Sequence, residues 1–189
     1  CEVGEQLRYL GDYNAAINSF TEASQLDEGN MQAITKIIHC KILQGHLDEA
    51  SAQMEFLFEI DESSKQNPEL TYLASMLAWR KNHNMQEAIK YLNEALSLHV
   101  AVSKKLNPGF EFYTKLNPDF LLEIAKEYLQ YVGLKPLPKS AKPPHYLVRA
   151  TKLLETITKQ IPGIIDGHLM LAKSKYISND NSAAQRYIN

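Results

Sequence analysis

Cysteine, glycine and proline are all scarce in this sequence. Its 189 residues include two Cys, eight Gly and eight Pro. Two cysteines, Cys1 and Cys40, cannot form a disulfide framework, and we interpret Cys40, which stands among isoleucines, as a small thiol of the core. An all-β protein needs many tight turns, so the low glycine and proline content argues against that class.

The sequence also lacks a large excess of charge of either sign. The chain has 20 basic and 22 acidic residues, which are interleaved and leave a net charge of −2. This balance argues against a nucleic-acid-binding surface and against a polybasic membrane anchor. No apolar run is long enough to cross a bilayer, so the sequence predicts no direct membrane insertion.

Catalytic and ligand-binding patterns are missing too. None of the six histidines lies four residues from another, the spacing that would place two metal ligands on one helical face. There is no phosphate-binding loop, no nucleophile elbow and no dinucleotide fingerprint. We therefore predict a protein that is not an enzyme and has no cofactor, no metal site and no small-molecule substrate.

A spaced pattern of alanines is the clearest positive feature. Ala50 follows Ala16 by 34 residues, and Ala184 follows Ala150 by the same interval. Ala88 stands between these pairs in a similar apolar context. Recurrence at a fixed interval of this length is typical of a helical repeat protein.

A second set of apolar positions recurs in the helix that should precede each of these alanines. Its members, spaced by three or four residues and therefore on one helical face, include Leu70, Leu73, Ala74 and Leu77, and then Leu121, Ile124, Ala125 and Tyr128. A short side chain at the crossing point allows two helices to approach to about 8 Å. A single short helix cannot bury such a face, but stacked pairs can. The pattern is that of the tetratricopeptide repeat and predicts an all-α solenoid of stacked helix pairs.

The intervals between the alanines predict where the repeats begin and end. Repeats one to three occupy 1–102, the first being incomplete; four extra residues between Ala50 and Ala88 fit near Lys65-Gln66 and in the turn at Lys81–Asn84. An insertion follows at 103–117. An interrupted repeat four spans 118–164 and contains a loop at 133–144, whose four prolines exclude helix. Residues 165–189 form the start of repeat five.

Aromatic residues are concentrated in and just after the insertion. Phe110, Phe112, Tyr113 and Phe120 fall within eleven residues. Such residues either pack onto the solenoid itself, between repeats, or form a patch on which a partner docks. Both interpretations remain open at this stage.

The concave groove of a tetratricopeptide solenoid is lined by positions 2, 5, 9 and 12 of each first helix. In this sequence those positions include Gln32, Thr35, His39 and Ile42, then Asp119, Leu122, Lys126 and Leu129, then Asp166, Leu169, Lys173 and Tyr176. One use of the groove, clamping the terminal carboxylate of a peptide, needs clustered Lys and Asn at these positions. They are missing, so the sequence does not predict a receptor of that kind.

Three stretches resemble a particular family. They are LTYLASMLAWRKN, FEFYTKLNPDFLLEIAKEYL and LLETITKQIPG, which together with the proline-rich break are similar to the tetratricopeptide repeat protein 21 family. That family includes the large repeat subunit of intraflagellar transport complex A. The resemblance covers essentially the whole chain, which we therefore expect to be a fragment of a longer superhelix.

The resemblance implies a non-enzymatic scaffold for protein–protein interaction that serves retrograde ciliary transport and the import of receptors into cilia. The partners it implies are other subunits of a ciliary transport complex, and the locations are the cytoplasm, cilium, basal body and axoneme. The family has no catalytic residues to carry over. The alternative is a generic cytosolic tetratricopeptide adaptor that binds peptide motifs in its concave groove.

Overall fold

A computed structural model describes residues 1–27, 29–103, 116–138 and 140–187. All the regular structure in these ranges is helical, with ten α-helices, one 3-10 turn and no strand. The predicted all-α fold is therefore confirmed.

The helices follow one another with short connections. They are α1 (Glu2–Tyr9), α2 (Tyr13–Leu26), α3 (Met31–Gln44), α4 (Leu47–Ile60), α5 (Pro68–Arg80), α6 (Met85–Ser103), α7 (Pro118–Gln130), α8 (His145–Gln160), α9 (Ile165–Ile177) and α10 (Asn181–Arg186), with the 3-10 turn at Glu62–Gln66 between α4 and α5.

The chain forms two compact units, Cys1–Leu98 and His99–Asn189. In the first unit α1 packs on α2 and α3 packs on α4, while α3 also contacts α2, and α5 contacts both α3 and α4. In the second unit α7 packs on α8 and α9 packs on α10, while α9 also contacts both α8 and α7. Each unit is thus built from antiparallel helix pairs that stack on the pair before them.

The repeated alanines all lie inside these units. Ala16, Ala50, Ala88, Ala150 and Ala184 are each at most 6% exposed. A methyl group at this position of the second helix lets the first helix of the pair cross closely. The alanines that recur in the sequence are therefore the residues that are buried in the successive helix pairs.

The first pair uses a glycine to achieve its close crossing. Gly4 of α1 is buried, and a Cβ added there would approach the ring carbons of Phe20 at 2.6–2.9 Å. Only glycine leaves room for that ring. Phe20 and Ala16 of α2 form one buried cluster with Cys40 of α3, which confirms Cys40 as a buried thiol.

The apolar faces predicted for the first helices of the repeats also lie in the core. Leu70, Leu73 and Leu77 of α5 are buried, and Ala74 is half-buried. In α7 all four predicted positions are buried, and Tyr128 and Ile124 are completely inaccessible to solvent.

Asparagine and aspartate define where most of the helices begin. Asp12, Asn30, Asn67 and Asp180 each accept a hydrogen bond from a backbone amide in the first turn of the helix that follows. Asn117 does the same for α7, accepting a hydrogen bond from the Phe120 amide, with Pro118 in the first turn of the helix. These caps satisfy amides that have no partner inside the helix.

The four extra residues between Ala50 and Ala88 lie in the two connections to which the sequence assigns them. The 3-10 turn at Glu62–Gln66 lengthens the link from α4 to α5. The turn at Lys81–Asn84 lengthens the link from α5 to α6 and is closed by a bond of 2.9 Å from the Asn84 amide to the Ala78 carbonyl.

The proline-rich segment contains no helix in its described residues. It is nevertheless attached to the second unit, because the Leu137 amide donates a hydrogen bond of 2.8 Å to the Ile177 carbonyl at the end of α9. Leu137 is half-buried, whereas Leu134 is 75% exposed. The loop is therefore hydrogen-bonded to the solenoid, while most of its described side chains face solvent.

We predict that Ala50→Phe lowers the free energy of unfolding by about 1–3 kcal/mol, because a ring at this inaccessible site overpacks the crossing of α3 and α4. Ala52→Phe, at an exposed position of the same helix, is the matched control and should change it by less than about 0.5 kcal/mol. Urea titration followed by circular dichroism measures both. Equal stabilities for the two variants would contradict the assigned packing.

Candidate interaction surfaces

Of the four groove positions of the first unit, only Gln32 is exposed to solvent. Thr35, His39 and Ile42 of α3 are buried, and the ring of Tyr72 on α5 meets the His39 ring edge-on at 5.8 Å between centroids. The interpretation of these three residues as groove lining is therefore wrong. The first helix of the next repeat, α5, packs against α3, and its Tyr72 covers His39.

In the second unit, two of the groove positions of α7 are likewise covered. Leu122 and Leu129 of α7 are buried, while Asp119 and Lys126 stay exposed. A Cβ added to Gly167 of α9 would lie 3.6 Å from Leu122 Cδ2, so α9 rests on this face of α7. Of the four groove positions of α7, only the charged pair faces solvent.

A row of charged side chains links the first helices of three successive repeats. Lys36 Nζ of α3 lies 3.0 Å from Glu5 Oε1 of α1 and 3.1 Å from Glu69 Oε2 of α5. Arg8 Nε donates to Glu5 Oε2 at 2.9 Å. The side chains of Arg8 and Lys36 are only 7% and 13% exposed, respectively. Their ion pairs are therefore screened less by solvent than surface pairs are. We call this row the charged ladder.

The ladder determines the protonation of its members and of a nearby thiol. Burial acts to raise the pKa of Glu5, but the charges of Lys36 and Arg8 and the hydrogen bonds they donate outweigh it, so that the pKa is lowered overall. Burial raises the pKa of the Cys40 thiol to about 11, an effect that Arg8 and Lys36 only partly oppose. Cys40 is therefore a neutral thiol near pH 7 and a poor nucleophile.

We predict that Glu5→Gln flattens the loss of stability in acid. Because folding lowers the pKa of Glu5 below 4.5, the stabilisation it provides is complete above that pH and is lost as the pH falls through the folded-state pKa. Urea midpoints measured from pH 7 to pH 3 should converge for the wild type and the variant. Glu2→Gln removes an exposed carboxyl of the same helix and serves as control. Parallel curves for wild type and Glu5→Gln would contradict the prediction.

A small recess lies between α4, α5 and α6 in the first unit. Its volume is about 180 Å³, and its lining includes Met54, Phe58 and Leu77, with Glu55 and Glu87 also on its wall. Small-molecule sites usually enclose about 300–1,000 Å³. The recess is below that range.

Two large apolar side chains project from α4 into solvent. Phe56 and Ile60 are each 61% exposed and, being four residues apart, lie on the same side of the helix. Their neighbours Glu55 and Glu59 are exposed too. This stripe faces away from the core residues Ala50, Met54 and Leu57 of the same helix.

Of the four aromatic residues singled out in the sequence, the structure describes one. Phe120, in the first turn of α7, is buried, and its ring meets His99 edge-on at 5.1 Å between centroids. Phe110, Phe112 and Tyr113 lie outside the described residues. Their assignment to partner docking or to packing between repeats stays a prediction.

His99 has a packing role that the sequence does not reveal. Its Nε2 lies 2.8 Å from the Leu116 carbonyl oxygen, and since a carbonyl can only accept, the ring nitrogen donates. The imidazole is buried and contacts Phe120 on another side. No local pattern signals this contact, because its two hydrogen-bonded residues are 17 positions apart.

We predict that Phe110→Ala combined with Phe112→Ala lowers the melting temperature of the isolated chain if these rings pack on the solenoid, because burying two such rings contributes roughly 3–6 kcal/mol. If the rings bind a partner instead, the chain melts as before and assembly of the complex fails. Phe56→Ala, which removes an exposed ring, is the control for melting. A double variant with neither effect would leave the insertion without either role.

Among the described residues no group of His, Cys, Asp and Glu is placed to hold a metal ion. The helices in the described ranges also include none long and apolar enough to cross a membrane. What these ranges present instead is helix pairs that stack within each unit, with a short residue recurring where the two helices of a pair cross. This architecture defines the class of tetratricopeptide-type helical repeat proteins.

The chain belongs to the tetratricopeptide repeat protein 21 family. The family's description for the match is "Tetratricopeptide repeat protein 21 second ARM domain", and it covers residues 1–189. The resemblance read from the sequence is thereby confirmed.

Similar proteins include two human members of that family. The chain is 37% identical to human tetratricopeptide repeat protein 21B and 35% identical to human tetratricopeptide repeat protein 21A, in each case over 97% of its own length. It spans only 14% of either relative.

Solved structures with the same fold are tetratricopeptide solenoids. A thermophilic tetratricopeptide repeat protein of Thermus thermophilus superposes with a TM-score of 0.60 at 14% identity, over 98% of this chain and 84% of that one. Yeast Tom70 superposes with a TM-score of 0.59 at 18% identity, over 97% of this chain and 33% of that one. At these identities the likeness shows the fold alone. Family and fold are both those of repeat scaffolds.

Proposed function

We propose that this chain is a scaffold segment of the large repeat subunit of intraflagellar transport complex A. In that role it holds other subunits of the complex along an extended helical surface, in support of retrograde ciliary transport and receptor import. The cytoplasm, cilium, basal body and axoneme are where it acts. The observation that carries the proposal is the family match over all 189 residues.

The geometry is consistent with a role in binding rather than in chemistry. The described surface offers the apolar stripe of Phe56 and Ile60 on α4 and an apolar groove on α9 and α10. Surfaces of this kind bury area against another protein. The small recess in the first unit, at about 180 Å³, is a poor match for a metabolite.

The alternative, an adaptor that captures peptide motifs in its concave groove, has less structural support. It requires free space over the groove positions of the first helices. Thr35, His39 and Ile42 of the first unit are buried, as are Leu122 and Leu129 of the second. A peptide would have to displace a packed helix to reach these five residues, whereas the groove positions Leu169 and Tyr176 of α9 are exposed.

Affinity purification of the full-length protein from ciliated cells, followed by quantitative mass spectrometry, tests the proposal. We expect the other subunits of the transport complex to co-purify in stoichiometric amounts with the wild type. Deletion of residues 1–189 from the same protein is the matched comparison and should reduce the recovery of at least one subunit. A single peptide ligand in place of the subunits would support the adaptor and contradict the scaffold.

A further inference from the structure

The outward side of α4 carries acidic and apolar residues but no basic one. The helix contains neither lysine nor arginine, and its acids are Asp48, Glu49, Glu55 and Glu59. Residues four positions apart lie on one side of a helix, so the exposed pair Glu55 and Glu59 forms an acidic row. The apolar stripe, Phe56 and Ile60, lies directly beside this row, because each of its residues follows a residue of the row. The helix therefore presents one charged and one apolar row to solvent, side by side.

Only the first two acids of α4 are paired with a cation in the described part of the chain. Each has a partner 3.0 Å away, namely Lys81 for Asp48 and Lys41 for Glu49. Glu55 accepts a hydrogen bond of 3.2 Å from the Ser51 hydroxyl. Among the described residues, neither Glu55 nor Glu59 is in an ion pair. The acidic row is therefore free to pair with cations from outside.

The acidic row is unfavourable for α4 as it stands. Like charges four residues apart on a helix repel each other. Glu59 also lies in the last turn, where the helix dipole is negative and no basic residue of the helix offsets it. Cations placed along the row would relieve both effects. A partner that brings positive charge next to an apolar surface is thus the partner that α4 favours.

The small recess lies on the other side of the acidic row, between α4, α5 and α6. Its apolar lining includes Met54, Phe58 and Leu77, and its acidic lining is Glu55 and Glu87. At about 180 Å³ it is too small for most metabolites. A lysine or arginine side chain has an apolar stem and a cationic end, which match the floor and the wall of this recess.

The titration of a tyrosine in the recess supports a negative potential there. Burial raises the pKa of Tyr91, and the negative charge of Glu87 raises it further. Both residues are on α6, whereas Glu55 reaches the recess from α4. Acids from two helices therefore act on the same small space.

We propose that the outward side of α4 is a docking surface for a basic amphipathic helix of a partner protein. The apolar residues of that helix cover the apolar stripe, and its lysine or arginine side chains pair with the acidic row. One of these side chains enters the recess between Glu55 and Glu87. The proposal deepens the scaffold role and rests on it, since it gives the chemistry of one partner. The surface lies on a second helix, whereas the groove positions lie on first helices.

Charge complementarity favours this occupant over two others. A second copy of the chain would bring its own acidic row against the first, and like charges across an interface are unfavourable. An anionic membrane surface attracts basic segments and would repel this one for the same reason. A basic helix satisfies both rows at once.

A pair of designed peptides provides a defined probe. The first is a helical peptide of about 18 residues, roughly five turns, with leucine recurring at intervals of three and four and lysine at the adjoining positions. The second has glutamate in place of every lysine. Fluorescence anisotropy measures the binding of each labelled peptide to the chain. We expect the lysine peptide to bind about tenfold or more tightly than the glutamate peptide and to bind more weakly as sodium chloride is added.

Charge reversal on α4 localises this binding. Glu55→Lys combined with Glu59→Lys should weaken binding of the lysine peptide by about tenfold or more, because two attractions become repulsions. The matched control is Glu2→Lys combined with Glu22→Lys, which changes the net charge equally at exposed carboxylates of α1 and α2. It should leave the affinity largely unchanged. Circular dichroism confirms that each variant is folded.

Truncation of the apolar stripe tests the other half of the surface. Phe56→Ala combined with Ile60→Ala should also weaken binding of the lysine peptide by about tenfold, because the leucines lose apolar area to cover. Leu26→Ala, at a site on α2 that is 90% exposed, is the control and should bind as the wild type does.

The same charge reversal in the full-length protein separates this proposal from the scaffold role. We expect purification from ciliated cells to recover less of one protein partner with the Glu55→Lys and Glu59→Lys variant than with the wild type. Recovery of no subunit by the wild type would contradict the scaffold role itself. Equal recovery of every partner by both proteins would overturn the docking surface and leave the scaffold role intact.

The outcomes of the peptide experiment are equally decisive. Equal affinity for the two peptides, or equal effects of the α4 reversal and its control, would overturn the proposal. Larger species of the wild-type chain in sedimentation velocity, absent after truncation of the apolar stripe, would make a second copy the occupant instead. Binding to phosphatidylserine-containing vesicles that the same truncation abolishes would make it a membrane.

Discussion

The close approach of helices at small residues is the constraint on which the rest of the fold depends. Five alanines at equivalent positions of the second helices are buried, and in the first pair Gly4 admits the ring of Phe20 at a distance no Cβ would allow. Dense packing follows from these crossings, because apolar side chains three and four residues away then interdigitate. The covered groove positions and the charged ladder both arise because successive first helices lie next to one another.

Much of the fold could be predicted from the sequence, because the constraint is periodic. The alanine interval and the caps at Asn67 and Asn117 are local features, and each corresponds to a packed crossing or a helix start in the structure. The extra residues between Ala50 and Ala88 could likewise be assigned to turns, since the stacking tolerates length only there. The bounds predicted for the individual repeats remain predictions.

The surfaces were harder to anticipate, because they depend on what each helix meets in space. Position in the repeat assigns His39 to a groove, yet its neighbour Tyr72 covers it. The pairing of Lys36 with both Glu5 and Glu69 joins residues more than 30 positions apart and leaves no local pattern. The His99 contact with Leu116 is missed for the same reason. Composition and residue spacing describe a single helix. The exposure of its residues depends on the neighbouring helix that packs against them, which these patterns do not identify.

The charged ladder has a mechanical consequence. Its bonds run across the helices, from α1 through Lys36 to α5, whereas the apolar contacts of each pair depend little on ionic strength. Any bending that spreads the three first helices lengthens both ion pairs of Lys36 together, so the ladder acts as a cross-brace that resists splaying of the stack. Because Lys36 and Arg8 are largely buried, salt screens this brace less than it screens exposed ion pairs. The resistance to splaying that the ladder provides is therefore less sensitive to ionic strength than that of a row of surface ion pairs would be.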